Sequence, residues 1–171
     1  MKRNLAACDG GTGIMAAATR ELGREPTVRV AGAAGGFGGH ADFGAGEVVI
    51  APNPDCCGAT QTMIHELTNI SNHSRFQQIT NDAAAGNLSR EDYTRAMERI
   101  EYDGVRNALR AFDACKDTWG CGAGATARHE WIRGAADFDD YYNNYLAESH
   151  KNYWRNAWDT NYRSAYEARH P

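Results

Sequence analysis

Glycine is crowded into one stretch of this chain: Gly32 to Gly46 holds seven of them and shows no hydrophobic period. A backbone that free loses much entropy on ordering, so whatever fixes it must come from the segments on either side. Those flanks are apolar and alternating. Thr27-Val28-Arg29-Val30-Ala31 precedes the stretch and Glu47-Val48-Val49-Ile50-Ala51 follows it, closed by Pro52 and Pro54. Both read as short strands. The glycine-rich segment between them is expected to be a flexible loop or a wide hairpin end. Upstream, Ile14 to Leu22 reads as a helix ended by Gly23 and Pro26.

From Thr60 onward the chain becomes polar, charged and aromatic, with helical spacing. Thr60 to Ser71 is expected to be a helix, because Met63, Ile64, Leu67 and Ile70 recur on one face. His65, Glu66 and Asn69 border that face. Asn72, Asn81 and Gly86 mark a following loop. Ser89 with Asp92 three residues on resembles a capping box and opens a long helix running to about Cys115, with Met97, Ile100, Val105, Ala108, Leu109 and Phe112 as its stripe. After the break Gly120 to Gly124, two or three further helical pieces are expected, with Trp154, Trp158, Tyr162 and Tyr166 recurring every four residues. These elements amount to an α+β fold: a small N-terminal β-sheet packed on the helix that carries His65, and a mostly helical C-terminal region. The 171 residues suit a single domain, 1–171, with a glycine-rich helix/strand region at 1–59 and a helical region at 60–171.

Net charge is −4, and the aromatic residues are interleaved with both signs of charge, so no basic stripe awaits a nucleic acid. No apolar run approaches the roughly 20 residues that span a bilayer. Leu5-Ala6-Ala7-Cys8 resembles a lipoprotein cleavage box, but it lacks the apolar segment that should precede one, and no signal peptide is recognisable. Five cysteines are an odd number, so at least one thiol would stay unpaired within the chain in an oxidising compartment. Cys115 and Cys121 flank a short turn and could close a small loop.

On a helical wheel Glu101 falls in the middle of the stripe set by Met97, Val105, Ala108 and Phe112. A carboxylate facing a core needs a cation or several donors. His65 and Glu66 border the inward face of their own helix, so a divalent metal between His65 and Glu101 would answer both needs. The order strand, short loop, helix with His-Glu supports that arrangement.

In these respects the segment from Val48 through Asn53-Pro54 to Met63-Ile64-His65-Glu66-Leu67-Thr68-Asn69 resembles the edge strand and active-site helix of the zincin metallopeptidases, whose signature is H-E-x-x-H. It is similar in particular to the compact zincin-like toxin domains that bacteria deliver as polymorphic or secretion-system effectors. The resemblance covers roughly Glu47 to Cys115. It implies zinc as cofactor, with His65, Asn69 and the later Glu101 as ligands and Glu66 as the general base. It also implies zinc-dependent hydrolysis of peptide bonds, a protein or peptide substrate, a secreted bacterial effector, and an immunity or chaperone protein as partner. Asn69 stands where the family has its second histidine, and an amide oxygen is a poor zinc ligand. Asn69 could bind weakly, His40, His73 or His129 could come in from elsewhere, or metal binding could be lost.

Simpler readings stand beside these. His-Glu recurs at His129-Glu130 without a preceding strand, and Glu101 could pair with Arg95, Arg106 or Arg110. The Trp154 to Tyr166 stripe could be core packing rather than a substrate groove. A catalytically inactive zincin-like effector or binding module is one alternative function. Another is a Cys-His hydrolase, with Cys8 activated at a helix start and His40 in the glycine-rich segment.

Overall fold

The structure, a computed structural model, describes residues 2–32, 38–52, 55–122 and 124–171. Asn53 and Pro54, expected at the strand end, lie outside the described residues, as does part of the glycine-rich stretch, 33–37. The fold is α+β, mostly helical, with a small mixed sheet of three strands. The chain forms two compact units, each built from two segments.

The first unit comprises residues 1–73 and 104–130. Helices α1 (Lys2–Ala6) and α2 (Asp9–Leu22) lead into the sheet, and Gly23, at φ 69°, ends α2 in the left-handed conformation that a glycine adopts without strain. Strands β1 (Thr27–Val30), β2 (Gly39–Asp42) and β3 (Glu47–Ile50) lie in the order β1-β3-β2. β1 pairs parallel to β3, Thr27 opposite Glu47, and β2 pairs antiparallel to it, Gly39 opposite Ile50. Two expectations are corrected here. Glu47–Ile50, likened to an edge strand, is the central strand, and the glycine-rich stretch supplies the edge strand β2 where a flexible loop or a wide hairpin end was expected. Backbone pairing to β3 is what orders β2, a tertiary effect that leaves no period in the sequence.

Helix α3 (Cys56–Ser71) starts four residues earlier than its apolar period, because Asp55 caps it by accepting from the Cys57 and Gly58 amides at 3.0 Å each. Val48, Val49 and Ile50 of β3 and Met63, Ile64, Leu67 and Ile70 of α3 are buried. Two disulfides cross the unit, Cys8–Cys115 and Cys57–Cys121, while Cys56 is a free, exposed thiol. The small loop expected between Cys115 and Cys121 is therefore not formed; each is joined to a more distant cysteine.

The second unit comprises residues 74–103 and 131–171. Helix α4 (His73–Ala84) begins at its border and replaces the expected loop; Phe76 and Ala83 are its buried contacts. Helix α5 (Arg90–Cys115) gives its first half to this unit and its second half to the other. Ser89 and Asp92 make the expected cap, with the Asp92 amide 3.2 Å from Ser89 Oγ. A one-turn α6 (Phe138–Asp140) runs into a π-helical turn, Tyr141–Tyr145, followed by α7 (Glu148–Asn161) and α8 (Arg163–Arg169). The Trp154–Tyr166 stripe is packing: Phe76 stacks on Trp154, Tyr93 lies against Tyr162, and buried Trp158 donates to the Leu88 carbonyl. Among the described residues no helix is long and apolar enough to cross a membrane.

Candidate functional site

Helix α3 presents His65, Glu66 and Asn69 within the first unit. Residues 65 and 69 share a side of the helix, while Glu66 is turned by about 100° from His65. Glu66 is therefore the inward member of the set and is only 7% exposed. It faces the edge strand. The Ala51 amide donates to the Gly38 carbonyl, which makes His40–Val49 and Asp42–Glu47 the hydrogen-bonded pairs of β2 and β3. The amides of Gly39 and Ala41 then point off the free edge of the sheet, and Ala41 donates to Glu66. Gly39 permits this approach. A Cβ there would lie 2.7 Å from Thr62 Cγ2 and 2.9 Å from the Val49 carbonyl oxygen, so any larger residue would push β2 away from α3.

Three groups favour the ionised form of Glu66: the Arg128 guanidinium, the Asn69 side chain and the Ala41 amide. Burial opposes them and prevails, pushing the carboxyl up to about 7 from its ordinary 4.5. Arg128 is exposed, so water screens much of its charge. It reaches this place because its guanidinium donates to Thr62 Oγ1 and its amide to Gln61 Oε1, both on α3.

The neighbouring residue completes a second feature. The His129 ring lies 5.0 Å from that of His65, centroid to centroid. These imidazoles, with Gln61 and Arg128, rim a small cleft of about 20 Å³ floored by Ile64, Leu109 and Phe112. Glu66 lies beside the cleft rather than in its lining. Arg128 and His129 were not singled out together in the sequence, because a coil after a glycine break carries no period to say which way it folds back. The His-Glu pair at 129–130 was the one available hint.

Of the other residues singled out, Glu101 belongs to the second unit, where its charge acts on Tyr141 and His150. It is half-buried, and the fully buried carboxylate of α5 is Glu98 instead. The wheel missed Glu98 because α5 buries a wider arc than its apolar stripe, including Tyr93, Thr94 and Tyr102. His40 sits on β2, and its Nδ1 is buried with no hydrogen-bond partner among the described residues. Cys8 is bonded to Cys115, so it supplies no thiolate, and the Cys8–His40 hydrolase is set aside.

A catalytic zinc needs three protein donors and one open position. Among the described residues no three His, Cys, Asp or Glu side chains are grouped as a metal ion requires. His65 has the His129 imidazole beside it, and the Asn69 side chain meets Glu66 through its amide nitrogen while its Oδ1 is buried with no hydrogen-bond partner among the described residues. Comparison with known protein families, curated proteins and solved structures finds no match to this chain.

Proposed function

We propose that the first unit is a hydrolytic domain acting on peptide bonds, with Glu66 as its general base. One observation carries the reading: a carboxyl group enclosed between α3 and the edge strand and held near neutral pH. A base does most work when its pKa lies near the working pH, and burial is how a carboxyl group is brought there. In this reading Glu66 takes a proton from the water that attacks the amide carbonyl carbon. The Arg128 guanidinium stabilises the oxyanion, and a proton passes to the departing amine, so the C–N bond breaks and acid and amine are released. His65 and His129, at the cleft rim, are the groups placed to hand on protons there. Peptide bonds are named because of the zincin resemblance of His65-Glu66-Leu67-Thr68-Asn69; no step is routed through zinc, since among the described residues no three His, Cys, Asp or Glu side chains are grouped to hold it.

Two disulfides support a protein that works outside a reducing cytosol. That agrees with a secreted bacterial effector meeting a protein substrate, and with an immunity or chaperone protein as its binding partner.

The test is turnover of unfolded protein or peptide libraries. Glu66→Gln is expected to lower kcat/KM by about a hundredfold or more with the fold retained. In the unaltered protein kcat/KM is expected to rise with pH through about 7 as Glu66 loses its proton. Unchanged turnover in the variant would refute the assignment. A second reading, a non-catalytic binding module, is favoured by the 7% exposure of Glu66 and its position beside the cleft. It is distinguished by peptide binding that survives Glu66→Gln with no cleavage by either protein. Zinc is tested separately, by adding it to chelator-treated protein: no rise in Tm is expected, and a stoichiometric rise would restore the metal to the site.

A further inference from the structure

The second unit encloses a carboxylate with few groups to balance it. The Glu98 side chain on α5 has no exposure. Its Oε1 lies 2.6 Å from Nδ1 of His150 on α7, and its Oε2 lies 3.4 Å from the Tyr141 hydroxyl. Tyr141 opens the π-helical turn, an irregularity that must be held by its neighbours. An ionised carboxylate cut off from water is costly unless a cation or several good donors meet it, and a phenol at that distance is a weak donor.

The other cations around the pair are engaged elsewhere. On α5, Arg95 pairs with Asp139 and lies over the Tyr142 ring. On α7, Lys151 lies over that ring and pairs with Glu148, and Arg155 pairs with Glu91 and Glu148. Glu101 adds a further negative charge. His150 is thus the cation that meets Glu98, and its side chain, 47% exposed, exchanges protons freely with solvent.

We infer that the Glu98–His150 pair is a pH-sensitive clamp that holds α7 against the first turns of α5 and loosens as the solution turns alkaline. Glu98, chiefly through the hydrogen bond, raises the His150 pKa above its ordinary value. Stabilisation by the pair is therefore complete below the ordinary imidazole range and is lost as pH rises through the raised value. Beyond it Glu98 faces a neutral ring and a neutral phenol.

The experiment is hydrogen exchange of the α7 amides in the full chain between about pH 5.5 and about pH 9, corrected for intrinsic rates. Protection of α7 is expected to fall about tenfold for each unit by which the histidine is shifted. His150→Gln keeps a donor but no titrating charge and should abolish the pH dependence. A flat profile in the unaltered chain, or the same fall in His150→Gln, overturns the clamp. Should that variant not fold, the His150 ring is titrated by NMR in the unaltered chain and in Glu98→Gln: a lower pKa in the variant supports the clamp, and equal values overturn it.

Discussion

Neutral pH is an unusual place for a glutamate to titrate, and at Glu66 it follows from position alone. One side of the group is the sheet edge, another is α3, and the Arg128 cation beside it is exposed to water. Arg128 lowers the carboxyl pKa, so Arg128→Ala is expected to move the basic rise of the pH–rate profile to higher pH while reducing kcat. An unmoved profile would mean that the guanidinium does not reach Glu66 in solution. His65 and Glu66 were legible in the sequence, since the apolar period of α3 shows which residues border its inner face. Arg128 was not, because it comes from coil and is held by Gln61 and Thr62 through long-range hydrogen bonds; His129 was named only as one of three histidines that could come in, since nothing local singles it out. Glu98 went unrecognised for a different reason: neighbours on both sides bury it, and a one-stripe wheel cannot see the second side.

Among the elements, β2 matters most to the site, and it depends on a residue with no side chain. Gly39→Ala is expected to destabilise the first unit by about 1–3 kcal/mol, because its Cβ would press on Thr62 and the Val49 carbonyl. Thermal melts report the loss, and a Tm equal to that of the unaltered chain would show that β2 lies farther from α3. The long helices were readable from period and cap: Ser89 marks α5 within one residue. Strand β2 and helix α4 were not, since pairing to β3 and burial of Phe76 override a local sequence that reads as loop. The disulfides lay beyond sequence reading too, because spacing says nothing about which cysteines meet. They close loops over separations of 107 and 64 residues, each worth about 4 to 5 kcal/mol in the chain-entropy account. Peptide mapping without reductant should return Cys8–Cys115 and Cys57–Cys121 with Cys56 alone alkylated; a Cys115–Cys121 peptide would contradict the fold.

For the whole molecule, the fold class was legible because glycine and short alternating runs are concentrated at the front of the chain and helical periods in the rest. The division into two units was not, because α5 serves both and no linker marks the border. The central claim is a buried carboxyl group titrating near neutrality, and it has a consequence for stability. Between the ordinary carboxyl value of 4.5 and about 7, folded Glu66 keeps a proton that the unfolded chain has already released, so its contribution to stability falls as pH rises across that window and then levels off. The cost above the window is on the order of 3 kcal/mol. Glu66→Gln carries no titrating proton there. The most direct measurement is the difference in unfolding free energy between Glu66→Gln and the unaltered chain at a series of pH values. The expected difference grows in favour of the variant from pH 4.5 to about 7 and then stays constant; a difference that is flat, or that turns against the variant as pH rises, would contradict the account.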